Sequence, residues 1–166
     1  ENVKDDELTP VDFQYLLSGQ FMQTSRIIDS VGNSGIVIAD TNSTVTKAYI
    51  DYYLSKTCTK EELKTLDMLY KLIQSKEKWD LILFVLPIGE YIDDGFRDNT
   101  MKDDIIREEF TKHLYDLLVE EGNKEKIVFL DGRYKGNKDN PYYNNYAKAR
   151  DIIEEMKVLP HKKKGW

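Results

Sequence analysis

The chain has 166 residues and a mass of 19.5 kDa, enough for one ordinary domain with a substantial core and too little for two catalytic domains. Forty per cent of its residues are apolar and fall in short clusters, which excludes a disordered chain, and 24 Lys plus Arg against 30 Asp plus Glu leave a net charge of -6, the wrong sign for neutralising nucleic-acid phosphates. The longest apolar run, Leu81–Leu86 followed by Pro87 and Ile88, has eight residues, far short of the roughly 18 to 20 that a membrane span needs.

Cys58 is the only cysteine and His113 and His161 are far apart, so neither a disulfide framework nor a Cys/His zinc site can be assembled, and the reducing cytoplasm is the expected compartment. Glu1–Glu7 has neither the basic start nor the apolar core of a signal peptide, and no starting Met. A trimmed sequence or a missing upstream segment is the expectation from that opening.

Helix signals come first along the chain. Thr9-Pro10-Val11-Asp12 offers a hydroxyl cap, a proline in the first turn and a carboxylate three residues after the cap. The predicted helix carries Phe13, Leu16, Leu17, Ile27, Ile28 and Val31 inward, with Gln20 and Thr24 interrupting that face, and ends at Gly32-Asn33-Ser34-Gly35. A second helix is predicted from about Ser43, with Val45, Ala48, Tyr49, Tyr52 and Tyr53 on one side. A third starts at Thr59, where Glu62 completes a capping box, and its stripe runs through Leu63, Leu66, Leu69, Tyr70 and Ile73. A fourth begins near Thr100, points Ile106, Phe110, Leu114, Leu117 and Leu118 inward and stops at Gly122. The last starts at Asn140-Pro141, with Tyr142, Tyr146, Ala149, Ile152, Ile153 and Met156 as its stripe. Beyond it lies a basic tail over 158–166, expected to be solvated.

Between the helices lie three apolar runs without polar alternation, Ile36–Ala39, Leu81–Leu86 and Ile127–Leu130. Such runs read as strands buried on both faces, so the expected class is α/β, a parallel sheet covered by helices in a single domain spanning 1–166. Three mainly parallel strands are predicted, at about 36–40, 81–86 and 127–131.

Ligands of open parallel sheets bind beyond the carboxyl ends of the strands. Those ends are Asp40-Thr41-Asn42, the segment Pro87 to Arg97, and Asp131-Gly132-Arg133-Tyr134. A carboxylate directly after a buried strand is where phosphoryl-transfer enzymes place a base or a magnesium-associated Asp, although Asp and Asn there equally serve to turn the chain or cap the next helix. The segment Glu90–Asp98 gathers four carboxylates, Glu90, Asp93, Asp94 and Asp98, around an aromatic, a glycine and Arg97; Arg97 and Arg107 are candidates for stabilising charge on phosphate because guanidinium groups bind its oxygens bidentately. The phosphate-binding loop G-x-x-x-x-G-K-[ST] is absent: no two of the nine glycines are five apart and no Gly-Lys dipeptide occurs.

Ile36-Val37-Ile38-Ala39-Asp40-Thr41-Asn42, then Thr46 and Tyr49, Trp79-Asp80-Leu81, Tyr91-Ile92-Asp93-Asp94-Gly95-Phe96-Arg97 and Arg107-Glu108-Glu109-Phe110 follow in an order and spacing that resemble the ribosylnicotinamide kinase domain of NadR-type proteins, within the P-loop kinases. The resemblance covers most of the chain from about Phe13 to Met156 and implies a P-loop kinase-like fold that is incomplete at its N-terminus. It places the family's first strand, phosphate-binding loop, following helix and next strand upstream of residue 1, with the strand feeding the loop lying between those at 36–39 and 81–86. It also implies ATP-dependent phosphorylation of nicotinamide riboside at its 5'-hydroxyl, with ATP and Mg2+ as cofactors. Asp40 would be the base or magnesium-linked carboxylate, Arg97 and Arg107 lid arginines, and Asp93 and Asp94 groups near the sugar or organising the lid. Thr41 would line the substrate site, and Tyr91, where a relative has Trp, would stack on the pyridine ring. The expected partners are a small nucleoside and ATP, with no nucleic acid, no membrane and self-association left open. Without the phosphate-binding loop the chain as written is expected to be inactive, and a non-catalytic nucleoside-binding or regulatory module, or a kinase of another small metabolite, stand as alternatives.

Overall fold

The computed structural model describes residues 7–32, 35–89, 91, 99–134 and 140–158. They fall into two compact units, one drawn from Glu1–Trp79 and Tyr91–Lys124, the other from Asp80–Glu90 and Glu125–Trp166.

The first unit is helical. Helix α1 spans Pro10–Val31, α2 Ser43–Leu54, α3 Lys60–Gln74 and α4 Asp104–Glu120, the last preceded by a 3-10 turn at Asn99–Lys102. Both expected capping boxes form: Asp12 accepts from the Thr9 amide at 2.8 Å and Glu62 from the Thr59 amide at 2.9 Å, so donors left over at each helix start are satisfied locally. These bonds hold both carboxyls below the usual carboxylate range, with the threonine hydroxyl as the largest cause. Gly32 ends α1 at φ 63, a left-handed conformation natural to glycine, and donates to the Ile28 carbonyl.

Phe13 and Leu17 of α1, Ile50 and Leu54 of α2, and Leu66, Tyr70 and Ile73 of α3 form the core. Each large apolar side chain so buried is worth roughly 1.5–3 kcal/mol. Helix α4 joins through Phe110, whose ring lies 4.7 Å from Tyr49 and 5.9 Å, edge on, from Tyr52. On the same helices Asp51 accepts from Lys47 at 2.5 Å and lies 3.0 Å from His113 Nε2.

The second unit contains strand β1, Ile82–Val85, strand β2, Ile127–Leu130, and helix α5, Pro141–Val158. The strands pair in parallel, Ile82 opposite Ile127 and Val85 opposite Leu130, and the Leu86 amide extends the ladder to the Leu130 carbonyl at 3.0 Å. Phe84 meets Phe129 edge to face at 5.5 Å.

Four expectations need correction. The run Ile36–Ala39 forms no ladder with any described residue, and Ile36 and Ile38 are 49 % and 75 % exposed. β-branched residues permit an extended chain, but the hydrogen bonds that make a strand must come from a neighbour, and no described segment supplies them. The two strands that do form are not buried on both faces: Val85 is 60 % and Phe129 40 % exposed, because a two-stranded sheet covers only part of its surface. Helix α4 starts four residues later than expected from Thr100, with Asp103 as its cap: one Asp103 oxygen accepts from the Ile105 amide at 2.8 Å, making the 3-10 turn a separate piece. In the second half of α1 Ile27 and Ile28 are exposed, as are Leu16 and, on α5, Tyr142 and Tyr146. What α5 turns inward instead is Asn144, Asn145 and Ala147.

Candidate functional site

Asp40-Thr41-Asn42 leads directly into α2. The Asp40 side chain is exposed and makes no hydrogen bond or ion pair with any described residue, so its carboxylate is uncommitted. Its neighbours are fixed. The Thr41 hydroxyl accepts from Gln20 Nε2, Gln20 Oε1 accepts from the Thr46 hydroxyl at 3.3 Å, and Asn42 caps α2 by accepting from the Val45 amide at 3.2 Å. Gln20, a polar break in an apolar stripe by sequence, is thus the strut between α1 and the segment that presents Asp40.

The first residues of α2 are seated on two carboxylates. Ser43 and Thr44 are each 1 % exposed. The Ser43 hydroxyl donates to Glu77 Oε2 at 2.6 Å, and the Thr44 hydroxyl donates to Glu121 Oε1 at 2.8 Å. Glu121 also accepts from the Tyr70 hydroxyl and, at 3.1 Å, from Asn123 Nδ2. One carboxylate at the end of α4 therefore gathers donors from α2, α3 and the following turn, which is how a polar group survives inside a helix junction.

Burial first, then the bond to Glu121, pushes the Tyr70 phenol well above its ordinary value. Burial likewise pushes the Glu77 carboxyl up; the hydrogen bonds from Ser43 oppose that shift and the negative Glu121 adds to it. Glu77 Oε1 is buried with no hydrogen-bond partner among the described residues.

Arg107 is bound to the turn that precedes its helix. One guanidinium nitrogen donates to the carbonyls of Met101 at 2.6 Å and Lys102 at 3.0 Å, and the other pairs with Asp104. The same turn is tied to α2 by a 2.6 Å hydrogen bond between Thr100 and Tyr52. It carries Lys102, whose Nζ stands 6.0 Å from the centre of the Tyr91 ring. Two of the residues singled out by sequence, Tyr91 and Arg107, are therefore connected through Lys102, whereas no ion pair joins Asp40 to Arg107. Asp93, Asp94 and Arg97 lie outside the described residues.

In the second unit the turn after β2 is held by α5. The Gly132 amide donates to Asn145 Oδ1 at 2.7 Å, Asn145 Nδ2 donates to the Leu130 carbonyl at 3.3 Å, and Asn144 Nδ2 donates to the Gly132 carbonyl at 2.7 Å. Gly132 sits at φ 78, and a Cβ there would lie 2.8 Å from the Pro141 side chain, so both conformation and space demand glycine. Asp131 accepts from the Arg133 guanidinium at 2.6 Å; that hydrogen bond is the main reason its carboxyl lies below the usual range.

Among the described residues no group of three or more His, Cys, Asp or Glu is placed to hold a metal ion. Asp40 suits a magnesium ion only as a single ligand, the rest coming from water or phosphate oxygens. The residues of this chain do not fit an ATP phosphate cradle, since the glycine-lysine loop is not in its sequence.

Glu77, Glu121, Asn144 and Asn145 escaped the sequence reading. The Asn-Asn pair in an otherwise periodic helix was the one local signal; nothing near Glu77 or Glu121 reveals partners 34 and 77 residues away.

No family model and no curated protein matches the chain. Among solved structures it is similar to a NadR protein in complex with NR (nicotinamide riboside), with 34% identity and a TM-score of 0.74 over 99% of this chain and 43% of that one. It is also similar to a NadR protein in complex with NAD and AMP-PNP, with 29% identity and a TM-score of 0.71 over 99% of this chain and 40% of that one. The chain thus spans about two fifths of the length of the NadR proteins it matches. Its α-rich architecture with a small parallel sheet matches their P-loop-like α/β fold, and the likeness runs along essentially the whole of this chain.

Proposed function

We propose that this chain is the nucleoside-binding part of a ribosylnicotinamide kinase, which transfers the γ-phosphoryl group of ATP to the 5'-hydroxyl of nicotinamide riboside and yields nicotinamide mononucleotide for NAD salvage in the cytoplasm. The observation that carries the reading is Asp40: an exposed, uncommitted carboxylate at a rigidly seated helix entrance, in a chain similar over 99% of its length to a protein that binds nicotinamide riboside.

In this reading Asp40 accepts the proton of the 5'-hydroxyl as that oxygen bonds to the γ-phosphorus and the bond to the β-γ bridging oxygen breaks, releasing ADP. Magnesium, when bound, neutralises phosphate charge, and Asp40 is the residue here that would hold it. Thr41, kept in place by Gln20, lines the ribose side, and Tyr91 offers its ring to the pyridine. Asp93 and Asp94 serve the sugar or the lid. Arg97 and Arg107 stabilise charge on the transferring group, a task for which Arg107 has to give up its carbonyl partners Met101 and Lys102.

The phosphate cradle has to come from residues outside this sequence, so the 166-residue chain should bind the nucleoside without phosphorylating it. In a protein extended by its upstream sequence, ATP-dependent phosphorylation should be measurable, and Asp40→Asn should lower its rate about a hundredfold or more with folding unchanged. Normal turnover by that variant, or phosphorylation by the chain alone, defeats the assignment. The absent glycine-lysine loop also favours a second reading, a nucleoside-binding module without catalysis; nucleoside binding with an inactive extended protein selects it. Turnover only on another small metabolite selects a related kinase.

A further inference from the structure

We propose that Gln20 fixes the hydrogen-bond polarity of Thr41, so that two consecutive residues ahead of α2 offer a hydroxyl-bearing ligand one acceptor, Asp40, and one donor, Thr41. The inference deepens the nucleoside-kinase reading and rests on it for the identity of the ligand, a ribonucleoside, but the polarity itself follows from the chain's own hydrogen bonds.

The accounting starts at Thr46, on α2 and 8 % exposed. Among the described residues its hydroxyl has one partner, Gln20 Oε1 at 3.3 Å. A buried hydroxyl hydrogen needs an acceptor, and the Gln20 oxygen is the one offered. That choice orients the whole amide. With its oxygen on Thr46, the nitrogen of Gln20 faces Thr41, and an amide nitrogen only donates. Thr41 Oγ1 is therefore the acceptor of that pair, and the Thr41 hydrogen is left unengaged by any described residue.

Asp40 and Thr41 are both exposed. A carboxylate only accepts, whereas this threonine is held ready to donate, and an alcohol answers both because it carries a hydrogen and lone pairs on one oxygen. A ribose presents several such groups. A ligand with acceptors alone, such as a carboxylate or a phosphate, would be repelled at Asp40. Thr41 thus determines specificity, while Gln20 and Thr46 act through it as positioning residues.

The test is chemical-shift titration of the full chain by nuclear magnetic resonance, with nicotinamide riboside and methyl β-D-ribofuranoside, a ribose without a base, as probes. Thr41→Val should weaken both about three- to ten-fold, the fold-change of one neutral hydrogen bond. Gln20→Glu should weaken both by as much, because a carboxylate draws the Thr41 hydrogen towards itself, and should cost nothing further in a Thr41→Val background. Gln20→Met should cost less than Gln20→Glu, since it leaves the Thr41 hydroxyl free to rotate. A mere strut predicts the reverse order, because methionine loses both hydrogen bonds and glutamate keeps them. The added negative charge does not mimic the loss, for it attracts a pyridinium and is indifferent to the uncharged riboside. Without ligand, Thr41→Val should move the Gln20 side-chain amide proton resonances and Thr46→Val the Gln20 side-chain carbonyl carbon.

The opposite pairing of those resonances, a Gln20→Met loss as large as that of Gln20→Glu, parent-like binding by Thr41→Val, or binding of neither probe overturns the proposal. If the bare riboside shows the expected losses and nicotinamide riboside does not bind, the kinase reading falls and the donor-acceptor pair stands. If nicotinamide riboside binds without those losses, the pair alone falls.

Discussion

The entrance to α2 and the turn after β2 are both bends in the chain held by side chains from other segments of their own units, but the first is held by carboxylates and the second by amides. Glu77 and Glu121 accept from Ser43, Thr44, Tyr70 and Asn123, whereas Asn144 and Asn145 both donate to carbonyls and, at Gly132, accept from an amide. An amide matches the two-sided needs of main chain, having donor and acceptor on one group. A carboxylate only accepts, so it suits a place where hydroxyls converge, and it brings a charge whose cost depends on pH. The helix behind the uncommitted Asp40 is thus seated on titratable groups, and the β2 turn is not.

The largest effect should come from removing the hub. Glu121→Ala strands the buried Thr44 and Tyr70 hydroxyls and should lower unfolding free energy by roughly 2–4 kcal/mol, measured by urea denaturation. A loss as small as that of a surface substitution would show that water replaces the carboxylate and that the junction is not tightly held. On the amide side Asn145→Ala leaves the Gly132 amide and one partner of the Leu130 carbonyl without a side-chain bond, for an expected cost of about 1–3 kcal/mol by the same measurement. Equal losses at the two positions would erase the distinction between a shared hub and a one-to-one brace.

A smaller effect separates the regions by pH. The folded-state pKa of Glu77 is raised, chiefly by burial, so its contribution to stability is complete below the ordinary carboxylate range and is lost as pH rises through the raised value. The urea midpoint should fall over that interval in the parent and fall less in Glu77→Gln; parallel profiles would remove Glu77 from the account. The smallest change is expected at Asp131, whose partner Arg133 is 85% exposed at its side chain: Asp131→Ala should leave the midpoint within error, and a clear loss would mean that the β2 turn also depends on charge.

What could be read from residues alone was whatever is encoded locally. Thr9 with Asp12 and Thr59 with Glu62 marked two helix starts, Gly32 marked an end, and the two apolar runs that became β1 and β2 were placed to within a residue or two. The run at 36–39 failed as a strand because apolar β-branched sequence specifies only half of a ladder. The inward face of α5 was misjudged because Tyr142 and Tyr146 outweigh Asn144 and Asn145 in any hydrophobic pattern, while the backbone at Leu130 and Gly132 needed amides. At the candidate site Asp40 stands exposed ahead of the capped helix α2, while the strand expected to lead into it does not form among the described residues. Arg107's carbonyl partners and the placement of Lys102 over Tyr91 depend on a 3-10 turn that no local signal announced.

The separations across the Glu121 hub, 77 residues to Thr44 and 51 to Tyr70, also govern when it can form. Capped helices close contacts between near neighbours and assemble early, while a junction that joins segments so far apart along the chain must wait until the loss of chain freedom has been met by other contacts. The seat of α2 is therefore among the last pieces of its unit to lock, and the first to open on the way back. Interactions made after the folding barrier set the lifetime of the native state rather than the speed of reaching it, so Glu121 acts chiefly as a latch on unfolding, and the loop bearing Asp40 stays in register for as long as that latch is shut.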